Sequence, residues 1–257
     1  MAVVTVSILF TVLITSTLSG VLGMGGGMLL MGVLTILLPI GQAMILHGIA
    51  QLFANGSRAL LHARHIEWSI LPFYAAGALV AYAGFAWLNF IPDVWLIYLI
   101  MGFLPWFAVF GRRWMVLQIE KPQHAVACGL LVTLLQLACG VSGPALDIFY
   151  LHTRLGRHSI VSTKALTQAL GHALKLIYYG NLLANDNLQK LGLWLPLSVC
   201  VIALLGTAGG GFLLNQTNDQ NFQKWSRRIL LGIGTVYVFQ GGHELWRSFG
   251  LCCVCRS

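Results

Sequence analysis

The sequence predicts an all-α polytopic membrane protein made of two inverted-topology repeats. Each repeat is a Gly-broken hairpin or broken helix followed by three transmembrane helices. Three observations lead there. The 257 residues are 58% hydrophobic and 9% charged, with a mean hydropathy of +0.81, against about 25% charged residues in globular domains. The chain divides into eight apolar runs, two of them too long for one bilayer span. And residues 117 positions apart match without a gap: Gly23 with Gly140, Gly26 with Gly143, Gln51 with Gln168.

Taken in order, the apolar runs are 3–38, 42–61, 69–90, 94–111, 124–152, 159–183, 192–214 and 229–246. No basic n-region precedes the first, so residues from Ala2 onward read as membrane domain rather than leader. The long runs 3–38 and 124–152 both contain a Gly-rich break, "GMGGG" at 23–27 and "CGVSGP" at 139–144. Basic residues cluster in the connections holding Arg64, then Arg112, Arg113 and Lys121, then Arg154 and Arg157, then Lys224, Arg227 and Arg228. Asp93 and Asp186 mark two of the other connections, the second with Lys190. Basic connections belong on the cytoplasmic side of a cell membrane. The run 124–152 then begins and ends on one side, as a re-entrant loop or a pair of short spans. Its repeat mate 3–38 should do the same, and the halves 1–117 and 118–250 become inverted. One long kinked helix at each break is the other reading, and it would make the halves parallel.

The formal net charge of +8 follows from those loops, and no nucleic-acid partner is expected. Cys128, Cys139 and Cys200 lie in apolar runs as packing residues. The tail 251–257 groups Cys252, Cys253 and Cys255 in no zinc spacing, which leaves free thiols or acylation. No metal, cofactor or catalytic residue is expected. No GxxxxGK[ST] motif is present, so nucleotide does not supply the energy for any transport.

After each break comes an apolar run with one polar stripe. His47, Gln51, Asn55 and Arg58 stand at i, i+4, i+8 and i+11, within about 80° of each other and over roughly 16 Å of helix. Lys164, Gln168, His172 and Lys175 repeat the spacing, widened by Thr163 and Thr167. Charged side chains at membrane depth are costly unless they face a cavity or a partner. The stripes hold three cations and two histidines but no carboxylate, and Asp147 alone lies near in sequence. An anion supplied from outside would balance them. Arg58, Lys164 and Lys175 have snorkelling as a rival role, and the glutamines have interhelical hydrogen bonding. Asp147 either carries a proton or pairs with Lys164 or Lys175. His47 and His172 are the other candidate proton carriers.

The breaks then read as tips. Gly25, Gly26 and Gly27, with Ser142 and Gly143, would offer backbone N–H groups and a hydroxyl to an oxyanion. Close helix packing through small residues is the competing role for the glycines.

"SGVLGMGGG" followed by an apolar arm, then "GVSGPALDIFYL", resembles the TauE/SafE sulfite exporter family, also called the 4-toluene sulfonate uptake permeases. The resemblance runs from about Ser7 to Tyr237. It implies an eight-segment transporter of sulfur-containing anions such as sulfite or organosulfonates, with the bilayer and a small sulfur oxyanion as partners; a homodimer is left open. The second break departs from the Gly-rich form, reading Ser142-Gly143-Pro144, and both forms occur in the family. An anion channel could use the same residues. An intramembrane enzyme would need Ser142 or Cys139 near His172, yet GVSGP is not the G-x-S-x-G elbow.

Overall fold

The structure is a computed structural model that describes residues 2–22, 25–111, 115–183, 192–214 and 219–254. Gly23, Arg112, Arg113, Asp186, Lys190 and Cys255 lie outside the described residues, as do the side chains of Lys224, Cys252 and Cys253.

Ten α-helices and no strand occur among the described residues. The first apolar run divides into α1 (Ala2–Leu22) and α2 (Gly26–Leu37). A single striped helix follows, α3 (Ile40–Leu61), then α4 (Leu71–Leu88) and α5 (Val94–Phe110). The second half repeats the order: α6 (Pro122–Cys139), a short α7 (Gly143–Phe149), the striped α8 (Arg157–Leu183), α9 (Trp194–Leu214) and α10 (Asp219–Val254). Helix α10 is longer than its apolar run and continues into the cysteine tail.

Local chemistry sets the boundaries. Pro72, Pro122 and Pro144 stand in the first turns of α4, α6 and α7, where a missing N–H costs no hydrogen bond. Helix α6 ends on Gly140 at φ 80, a left-handed cap. Gly25, at φ 34, leads into α2.

Both broken segments fold back on themselves, so neither is one kinked helix. A Cβ on Gly26 would fall 2.1 Å from the Thr15 carbonyl oxygen and 2.6 Å from Ser19 Oγ. The start of α2 therefore lies beside the middle of α1. In the second half, Ile119 N–H donates to the Phe149 carbonyl at 3.1 Å, and a Glu120 carboxylate oxygen accepts from the Thr153 hydroxyl and the Arg154 N–H. The segment from 119 to 154 thus begins and ends at one place.

The two halves interlock. Helix α1 packs on α9, α4 on α6, α3 on α8 and α5 on α10. Helices α3 and α8 run antiparallel: His47 meets His172 and Lys175 at one end, and His62 meets His158 at the other. Helices α5 and α10 do the same, with Leu99 against Gly241 and Pro105 against Gly234.

Polarity is distributed as in a protein solvated by lipid. Trp87, Trp194, Phe239, Phe10 and Leu79 point outward, whereas His47, Gln51, Asn55, Thr133, Gln136, Ser142, Thr167, His172 and Lys175 are buried. In water, such exposed apolar area would be an aggregation surface. By length and composition α4 and α6 are able to cross a membrane. Shorter apolar stretches lie at Val3–Ser19, Gly26–Leu37, Val94–Phe110 and Trp194–Gly210.

Candidate functional site

Polar residues from both halves meet at one cleft, where both tips adjoin both striped helices. Ser19, Gly25, Gly27 and Met28 line it from the first hairpin, and His47, Gln51 and Asn55 from α3. From the second half come Gly140, Val141, Ser142, Gly143 and Pro144, with Gln168 and His172 of α8. The space is about 380 Å³, counted to its open mouth.

Its positions follow from helix periodicity. One turn separates His47 from Gln51, Gln51 from Asn55 and Gln168 from His172, so each pair shares a face. The antiparallel crossing of α3 and α8 brings the two faces together. Asn55 Nδ2 donates to the Gln51 carbonyl at 2.9 Å and to Gln51 Oε1 at 3.3 Å. That fixes the Gln51 amide with its oxygen toward Asn55 and its Nε2 free. A Cβ on Gly27 would lie 3.3 Å from the Gln51 amide carbon, so the tip rests directly on this side chain.

Three buried polar atoms in the cleft wall have no hydrogen-bond partner among the described residues: Gln51 Nε2, Ser142 Oγ and His172 Nδ1. Buried polar groups are nearly always paired. Three orphans facing one cleft are a set of groups prepared for a ligand. Ser142 and His172 make no hydrogen bond to each other, and the Cys139 thiol donates to the carbonyls of Leu135 and Val141. Neither Ser142 nor Cys139 is hydrogen-bonded to His172.

His47 closes the inner wall. Its Nε2 lies 2.9 Å from the Gly27 carbonyl oxygen and its Nδ1 lies 2.8 Å from Lys175 Nζ. A carbonyl only accepts, so Nε2 carries the hydrogen and Nδ1 receives one from Lys175.

Nine of the expected binding residues line the cleft: Gly25, Gly27, His47, Gln51, Asn55, Ser142, Gly143, Gln168 and His172. The other four are elsewhere. Gly26 packs against Thr15 and Ser19. Arg58 is half-buried and donates from Nη2 to the carbonyl of Ser19, itself a cleft residue, at 3.1 Å. Lys175 is fully buried behind His47 rather than snorkelling. Lys164 forms an ion pair with Asp147, each about a quarter exposed, away from the cleft. The antiparallel crossing is the reason. Residues at equal places in the repeat go to opposite ends of the helix pair, so His47 reaches the cleft while Lys164 reaches α7. Of the two partners considered for Asp147, it is Lys164 that pairs with it. It follows that Lys164 has its own counter-ion, and of the three stripe cations Arg58 and Lys175 have no carboxylate partner among the described residues.

Two polar groups at the site escaped sequence reasoning. Ser19 lines the cleft, and Gln136 lies beneath it, fully buried, with Nε2 donating to the Gln168 carbonyl at 3.4 Å and Oε1 unpartnered. They are 117 positions apart, so the repeat itself carried the signal.

A helical body with an apolar exterior and a polar cleft between its halves fits a membrane protein. The family model described as Sulfite exporter TauE/SafE matches residues 8–238, and the chain belongs to that family of membrane transporters of sulfur-containing anions. No curated protein and no solved structure matches the chain.

Proposed function

We propose that this chain is a secondary transporter that moves a small sulfur oxyanion, sulfite or an organosulfonate, across the cytoplasmic membrane by alternating access. The anion sits in the cleft between the tips, held by Gln51, Ser142, Gln168 and His172, with Asn55 fixing the orientation of the Gln51 amide. One observation carries this reading: three buried polar atoms from three different elements face one cleft without partners.

Two further features support it. The striped helices are equivalent under the 117-residue shift and run antiparallel, as two inverted repeats would place them, and transporters of that plan bind substrate at the repeat interface. The first tip also ends at the N-terminus of the 12-residue α2, where free N–H groups suit an oxyanion.

Proteoliposomes loaded with sulfite or a sulfonate test the reading. Saturable flux is expected, falling about tenfold or more in Gln51→Ala/Gln168→Ala, since each hydrogen bond to a charged group is worth about 1.5–3 kcal/mol. Flux no greater than that of the double variant would contradict it. Unitary currents in planar bilayers would make the cleft a channel instead.

A further inference from the structure

Lys175 has no part in the binding just described, yet it is completely buried at the back of the cleft. Among the described residues its Nζ makes polar contact with His47 Nδ1, at 2.8 Å, and the Gly140 carbonyl, at 3.5 Å. The titratable groups around it are His47 from α3, His172 one turn earlier on α8, and the Cys139 thiol at the end of α6. The imidazoles of His47 and His172 meet edge to face with ring centroids 5.6 Å apart. None of these is a carboxylate, and Asp147 is engaged by Lys164. Because His47 must accept at Nδ1 whenever Lys175 donates, the His47–Lys175 pair holds a single ionising proton, carried by Lys175.

An ammonium buried without a counter-charge is unstable in an apolar interior. The atoms nearest to Lys175 are also cleft wall: His47, His172 and Gly140. An anion in the cleft therefore supplies the missing charge, and proton and anion each favour the binding of the other. We propose that Lys175 is the proton-coupling group of this transporter, so that one proton crosses with each bound anion. Loading places the proton on the Lys175 amine as the anion binds. When the anion leaves, the ammonium passes a proton to His47 Nδ1, and His47 breaks its Nε2–H bond to the Gly27 carbonyl and releases that proton to the water that replaces the anion. An amine, a neutral imidazole and one hydronium result, and reversal on the other side reloads the pair.

The inference rests on the cleft being the anion site, and the experiment separates the two. Sulfite, thiosulfate and methanesulfonate are first titrated against the purified full chain; the last two bring no proton of their own near neutral pH. If none binds, or if binding survives Gln51→Ala/Gln168→Ala unchanged, the anion-site reading fails. Uptake of a bound anion is then followed in proteoliposomes with a trapped pH dye. Internal acidification of one proton per anion is expected in the wild-type protein. Uptake with no proton movement would overturn the coupling proposal while leaving the site intact. Lys175→Arg, locked in the charged form, should keep anion–anion exchange and lose proton-driven net uptake at least tenfold. Lys175→Gln should bind with an affinity that no longer changes with pH. Proton-coupled uptake persisting in either variant would also overturn the proposal. If neither variant folds, the wild-type stoichiometry decides.

Discussion

A Cβ at Gly26 would press on the backbone oxygen of Thr15, whereas one at Gly27 would meet only the flexible end of Gln51. The two glycines consequently predict different outcomes. Gly26→Ala should destabilise the fold by about 1–3 kcal/mol, the cost of overpacking, seen as a lower unfolding temperature in detergent. Gly27→Ala should fold normally and bind the anion more weakly. Equal unfolding temperatures for the two would contradict the packing role of Gly26. Ser142→Ala, which removes an unpartnered hydroxyl, should leave stability unchanged or slightly raised and weaken anion binding up to about tenfold, read by titration. Most of this site was legible at the residue level. Gln51 and Gln168 stood out because the repeat equated them, and Asn55 and His172 followed by helical spacing. Lys175 did not read as deeply buried, because its burial comes from the antiparallel pairing with α3, which sets His47 against it. Met28 and Val141 carry no sequence signal, since tertiary packing alone sets which apolar side chain of a tip faces the cleft.

Among the elements, the second hairpin depends on its base. Burial pushes the Glu120 carboxyl up, but the hydrogen bonds from Thr153 and the Arg154 N–H outweigh it and hold the group below the usual glutamate range. A carboxylate lowered in the folded state stabilises above its unfolded value and loses that contribution as pH falls through the folded one. The hairpin base should therefore loosen in acid, in the region below about pH 4.3. Glu120→Gln should flatten the acid limb of a thermal-unfolding profile measured against pH; an unchanged limb would remove the latch from the account. The hairpins themselves were legible from charge, because the positive-inside pattern required the segment 124–152 to return to its starting side. The unequal arms were not. Helix α7 has seven residues against twelve in α2, and the chain after Phe149 is held by the Ile119 and Glu120 contacts instead of by helix propensity.

For the whole molecule, the polar interior and apolar exterior match a bilayer as solvent, and the pairing of α3 with α8 makes the cleft a joint product of both halves. Helix α4, 18 residues long, spans about 27 Å and should carry the chain across. Single cysteines at His65 and Thr153, in a protein with its native cysteines replaced, should then react with an impermeant maleimide from one face, and a cysteine at Asp93 from the other. Labelling of all three from one face would contradict the arrangement. Composition pointed to the membrane class, and the 117-residue match pointed to which helices correspond. The crossing of α3 and α8 was hidden, because contact between distant segments leaves no local pattern, and it is this crossing that separates Lys164 from the cleft.

The most direct test of the central claim is a structure of the protein in lipid with sulfite or its heavier analogue selenite. Anion density within hydrogen-bond reach of Gln51 Nε2 and Ser142 Oγ, between the tips at Gly27 and Gly143, is the predicted result. Density on the exposed basic loops alone, with the cleft residues bonded to one another, would contradict it.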